Sequence, residues 1–130
     1  MLLEVYWMPD GSPEYFSVRE HDGVWGQGVP VPTDLARKGY DLIYGLSCES
    51  DADCTAVGYK AVATGIFESL IEQYQDGHWL PAQLVSPGGT ADTSSGLDVV
   101  TCTGFRCTAG GFATFDGKRS GLIVNFTSRS

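Results

Sequence analysis

The sequence predicts an all-β fold built from a tandem repeat, and three observations carry the prediction. A cysteine hairpin occurs twice, first as Leu46-Ser47-Cys48-Glu49-Ser50-Asp51-Ala52-Asp53-Cys54-Thr55-Ala56-Val57-Gly58. Its altered copy is Val100-Thr101-Cys102-Thr103-Gly104-Phe105-Arg106-Cys107-Thr108-Ala109-Gly110-Gly111. The first cysteines lie 54 positions apart and the second 53. The same period recurs outside the cysteines: Asp22-Gly23-Val24-Trp25 matches Asp76-Gly77-His78-Trp79, and Phe16, Val18 and Glu20 fall on Leu70, Glu72 and Tyr74. Finally, 17 glycines and 6 prolines suit many short strands and turns better than helices. A period near 50 means stacked or radially arranged units, each too small to bury its own apolar face.

Within the complete unit, from Asp41 to about Pro87, four strands are expected. Leu42 to Cys48 alternates apolar and small residues and forms the first, and a turn over Glu49 to Asp53 leads into the second, Cys54 to Val62. The third, Phe67 to Gln75, sets Phe67, Ser69, Ile71 and Gln73 on one face and Leu70, Glu72 and Tyr74 on the other. Glu68 to Gln73 also has helical propensity. The aligned copies Tyr15 to Glu20 and Leu122 to Phe126 are strand-like, and that context decides for a strand. Asp76-Gly77 is a two-residue hairpin signal, Trp79 to Val85 the fourth strand, and Pro87 to Gly96 a polar connection.

The flanking units are incomplete. Subtracting the period from Cys54 lands just before Met1, so the chain opens on second-strand material. Leu3 to Met8, Glu14 to His21 and Val24 to Val31 are its second, third and fourth strands. Leu97 to Cys102, Cys107 to Phe115 and Gly121 to Thr127 are the first to third strands of the last unit. The expected organisation is one repeat domain: an incomplete blade over 1–40, a complete one over 41–96 and an incomplete one over 97–130.

At 130 residues the chain suits one domain, and a 42% apolar fraction supports a packed core. A formal charge of −8 with scattered Lys and Arg argues against nucleic acid as a partner. No apolar run approaches the ~20 residues of a membrane span. Met1 to Trp7 lacks the features of a signal peptide. Four cysteines in two close pairs nevertheless point to an oxidising compartment, so a secreted or surface location is expected.

The string Leu46-Ser47-Cys48 to Gly58, followed by Leu70-Ile71-Glu72, Gly77 and Trp79, resembles a tandem repeat of secreted actinobacterial proteins, a blade of a β-propeller of kelch-like length. The last unit departs from it, with Thr101 for Ser47, a turn one residue shorter and Gly110 for Val57, and the first unit lacks the cysteine hairpin. The resemblance implies four-stranded antiparallel blades, about two and a half in this chain. It brings no catalytic residues. A bacterial origin would make the glycosylation-like Asn125-Phe126-Thr127 fortuitous. Propellers close with roughly four to eight blades, so completion by oligomerisation is expected, as a homodimer or another strand-sharing assembly. Two chains would bring six blades.

The four cysteines permit three pairings. The local ones, Cys48 with Cys54 and Cys102 with Cys107, lie at facing ends of adjacent strands and are expected as hairpin disulfides. Zinc is the alternative, although these spacings are not the usual C-x2-C. Asp51 and Asp53, with Glu49, could gather around calcium, but solvated turn residues are the plainer reading, as for Asp92 and Asp98. No metal or cofactor is expected. Trp25 and Trp79 occupy equivalent positions, where inter-blade core is the plain reading and a sugar-stacking platform the sharper one. His78, beside Trp79, and Tyr44 complete the candidate ligand set, while Tyr6, Trp7, Tyr15 and Tyr40 enlarge the aromatic pool without marking a site. There is no Ser/His/Asp order, no G-x-S-x-G, no H-E-x-x-H and no phosphate loop. The expected function is non-enzymatic binding of a carbohydrate or protein, with Pro32 to Gly39 and Pro87 to Gly96 as presenting loops. The alternative is a glycan-acting hydrolase or lyase whose channel is assembled from several blades.

Overall fold

A computed structural model describes residues 1–32, 40–50, 52–63, 66–85 and 94–128. They form antiparallel sheets throughout, with no helix among the described residues. The first sheet joins β1 (Leu2–Trp7), β2 (Pro13–Val18) and β5 (Val29–Pro30) in that order. A small ribbon, β3 (Glu20–His21) with β4 (Val24–Trp25), extends from it. The middle sheet runs β10 (Gln83–Val85), β8 (Ile66–Gln75), β7 (Asp53–Ala63), β6 (Tyr40–Ser50), with β9 (His78–Trp79) also on β8. The third sheet is β11 (Ser94–Thr103), β12 (Arg106–Phe115), β13 (Lys118–Thr127).

The 54-residue period governs the hydrogen-bond register as well as the residue types. Phe16 pairs with Pro30 and Glu20 with Trp25, just as Leu70 pairs with Leu84 and Tyr74 with Trp79. Outside the ladders, Gly26 N–H donates to Arg19 O and Leu80 N–H to Gln73 O, each at 2.8 Å. The expected fourth strand is therefore split in both units at the same place, and Arg19 interrupts the expected Glu14 to His21 strand. Asp22-Gly23 and Asp76-Gly77 supply the turn with φ of 51° and 81° and of 50° and 84°. Two successive left-handed residues match the twist of a two-residue hairpin.

A bulge repeats too. The β6–β7 register shifts around Tyr44 and the β11–β12 register around Asp98, one period later. Opposite each bulge is a glycine whose backbone leaves no room for a side chain. A Cβ on Gly58 would overlap the Leu42 carbonyl, and one on Gly111 the Gly96 carbonyl. The final glycine of the repeated stretch is thus explained by the bulge it faces.

The sheets stack in one sense. Val57 and Ile71 of the middle sheet form a core with Leu97 and Ala109 of the third, flanked by Val85, Val100, Leu122, Val124 and Phe126. On the same face Ser69 Oγ donates to Ser95 Oγ at 2.8 Å, and Gln73 Nε2 to the Thr127 carbonyl at 3.4 Å. The opposite face turns to the first sheet. There Trp79 Nε1 donates to Ser17 Oγ at 2.9 Å, Arg19 Nη1 to Tyr74 Oη at 3.3 Å, and Ile43 N–H to Tyr15 Oη at 3.1 Å. The alternation expected along β8 follows: Ser69, Ile71 and Gln73 meet the third sheet, and Tyr74 meets the first. The disulfides Cys48–Cys54 and Cys102–Cys107 staple the β6–β7 and β11–β12 hairpins at the same end of each unit.

Candidate functional site

A groove of about 500 Å³ runs between the first and middle sheets. Its walls are β1, through Leu3, Val5 and Trp7, and β6, through Leu42 to Leu46, with Tyr15 between them. The period-2 alternation of β1 sends these three side chains to one face, and the stacking of the sheets brings β6 opposite. The bulge sets Tyr44 at the rim, since an extra residue locally re-aims its side chain. Trp7 and Tyr44 stay open to solvent, at 65% and 54% exposed. Three aromatics from two adjacent repeats therefore converge on one apolar groove.

Tyr44 is supported from behind. Its ring stacks on Tyr59 at 4.9 Å and 16°, and Tyr59 packs edge-on against Phe67 at 4.9 Å and Phe112 at 5.7 Å. The Arg119 guanidinium covers the far face of the cluster, 4.1 Å from the Phe112 ring centre. Burial, then the hydrogen bond with Tyr44 and the charge of Asp98, push the Tyr59 hydroxyl up to about 12. It stays protonated and neutral at physiological pH. Burial likewise raises Tyr15, partly offset by the N–H of Ile43. The groove thus offers ring faces and the neutral hydroxyl of Tyr15.

Other sequence candidates lie apart from it. Trp79 is half-buried between sheets, bonded to Ser17 and edge-on to Tyr74 at 5.3 Å. Its equivalent Trp25 is 56% exposed and borders a second concavity of about 860 Å³ on the outward face of the first sheet, with Tyr6, Phe16 and Val18. His78 is exposed at the β8–β9 turn. Asp98 is exposed at the second bulge, whereas Asp51 and Asp92 lie outside the described residues. So do most of the loops Pro32 to Gly39 and Pro87 to Gly96. Among the described residues, no three His, Cys, Asp or Glu side chains gather as a metal would require.

Sequence reasoning did not single out a charged cluster beneath the first sheet. Lys60 Nζ meets Asp41 Oδ1 at 2.9 Å, both fully buried. Glu72 is 1% exposed, and neither carboxylate oxygen has a hydrogen-bond partner. Burial first, then the Asp41 charge, raises its pKa to about 8 against the opposing pull of Lys60. A protonated carboxyl near neutral pH is what a general acid needs, but Glu72 lines neither concavity. The equivalents of Asp41, Lys60 and Glu72 in the last unit are Ser95, Ala113 and Val124, so only the middle unit carries the cluster. Trp7 and Tyr15 had been readable only as members of an aromatic pool, because the period alone does not say which strands oppose each other across sheets.

Comparison with known protein families, curated proteins and solved structures finds no match to this chain.

Proposed function

We propose that this chain is a non-enzymatic binding module made of propeller-type blades, with the groove between its first two sheets as the ligand site. The observation that carries this reading is the convergence of Trp7, Tyr15 and Tyr44 on a largely apolar groove that, among the described residues, no carboxylate, histidine or thiol lines. Concave apolar sites with a few fixed polar groups are the common form of ligand pockets. An apolar protein segment suits the lining best. The outer edge of β1 has no strand partner among the described residues, so its backbone N–H and C=O groups are open to an added extended segment. Carbohydrate remains the second ligand class, favoured by the exposed ring faces of Trp7 and Tyr44. The propeller reading is supported by the repeated register and the uniform sense of stacking. A secreted or surface setting fits the two disulfides, which persist in oxidising compartments. No helix among the described residues is long and apolar enough to cross a membrane.

The test is a calorimetric titration with extended apolar peptides and with a glycan panel. Tyr44→Ala and Trp7→Ala, both at exposed positions, should weaken the bound class by about tenfold or more, the loss typical of an aromatic anchor. Trp25→Ala should leave it unchanged. If neither class binds, or if both groove variants bind like wild type, the reading fails. Product release from labelled polysaccharide would instead favour the glycan-acting alternative.

A further inference from the structure

The stacking leaves two open faces that are opposite in kind. The inner pairings always join the face carrying Tyr15, Ser17 and Arg19, or its equivalents Ser69, Ile71 and Gln73, to the face carrying Leu70, Glu72 and Tyr74, or Leu122, Val124 and Phe126. What remains uncovered among the described residues is one face of each kind. The first sheet presents Phe16 and Glu20 with Tyr6 and Trp25 around a buried Val18, and the third presents Gly121, Ile123 and Asn125 with Val99. Leu2, Tyr6 and Trp25 on one, and Val99 and Ile123 on the other, are 47–73% exposed. Exposed apolar surface on this scale marks an interaction site.

We propose that a second copy of this chain covers these faces head to tail, the third sheet of one copy packing on the first sheet of the other. The occupant follows from the repeat. Leu70, Glu72 and Tyr74 in the middle sheet are covered by the face equivalent to that of Ile123, so Phe16, Val18 and Glu20 take the same kind of partner. Superposing the registers sets Ile123 in the place of Ser17, over Trp25 where Ser17 meets Trp79, and Asn125 in the place of Arg19, beside Glu20. Charge agrees. Residues 1–32 carry five acids against one arginine, while residues 94–128 carry three cations against two acids. A contact between different faces is heterologous, so it closes into a ring or grows. Two copies bring six sheets, within the four to eight of a closed propeller. The groove at Trp7 and Tyr44 lies between sheets of one chain and is untouched by this contact.

Light scattering on the eluting protein reads the assembly. The wild-type chain should run with the mass of two 13.9 kDa chains. Trp25→Glu and Ile123→Glu replace exposed side chains on the two faces, and each alone should run as a monomer with an unchanged circular dichroism spectrum. Mixed in equal amounts, they should recover the two-chain species, because each supplies the face that the other lacks. A contact of like faces would leave one variant dimeric and would not be rescued by mixing. The proposal is overturned if the wild type is monomeric at all concentrations, if either variant keeps the wild-type mass, or if the mixture stays monomeric. Each of those results leaves the groove reading standing, since that reading depends on the Trp7 and Tyr44 variants alone.

Discussion

Glu72 sits between the first and middle sheets with both carboxylate oxygens unpartnered. Its ordinary pKa is 4.5 and its folded value is raised to about 8, by burial above all and then by Asp41. Below 4.5 the residue is protonated in folded and unfolded chains alike and adds no pH dependence. Between 4.5 and 8 the folded protein retains a proton that the unfolded chain has released, so stability falls as pH rises. For one proton that slope is about 1.4 kcal/mol per pH unit, and the loss is complete above the folded value. Glu72→Gln keeps the shape and removes the titration. Its melting temperature should exceed that of wild type at pH 8 and vary less across this window. Parallel melting-temperature curves for the two proteins would show that Glu72 does not titrate in this way. Asp41 and Lys60 answer to a different logic, because their mutual contact at 2.9 Å compensates two buried charges.

At the scale of hairpins, chemistry readable in the sequence is repeated in the structure with little change. The Asp-Gly turns at Asp22 and Asp76 adopt the left-handed geometry their residue types favour, and both cysteine pairs close where facing strand ends bring them together. A third Asp-Gly turn, Asp116-Gly117 with φ of 48° and 75°, went unread. The polar Lys118-Arg119-Ser120 after it resembles a loop, yet β13 begins at Lys118 and pairs with Phe115. Pairing with an existing strand overrode weak local propensity there. The split of the fourth strand was also hidden, because it depends on the backbone bonds of Gly26 and Leu80 rather than on side-chain pattern. Each disulfide closes a loop of only a few residues, so the chain-entropy model gives about 2 kcal/mol apiece. Replacing Cys102 and Cys107 together by serine should lower the unfolding free energy by that amount, read as a fall in the denaturant midpoint equal to that free energy divided by an unchanged m-value. An unchanged midpoint would mean that the unfolded chain already holds this hairpin closed.

At the scale of the whole molecule, stacking decides what the period leaves open. Trp25 and Trp79 are indistinguishable by alignment, yet one is exposed and the other joins two sheets through Ser17. The groove was illegible for the same reason: Trp7 and Tyr44 lie in different repeats and meet only when sheets stack. The two tryptophans therefore measure what lies on each side of the blade. Trp79→Ala removes a half-buried ring and leaves Ser17 without its donor, and should cost about 3 kcal/mol. That loss is intramolecular, so it lowers the melting temperature equally at every protein concentration. Trp25→Ala removes a ring that touches little within the chain and should cost almost nothing in the monomer. If a second copy covers the first sheet, the wild-type melting temperature rises with protein concentration by mass action. Trp25→Ala should then abolish that rise while Trp79→Ala preserves it. Equal concentration dependence in the two variants would mean that Trp25 is not covered by a second copy, and the head-to-tail contact would be overturned.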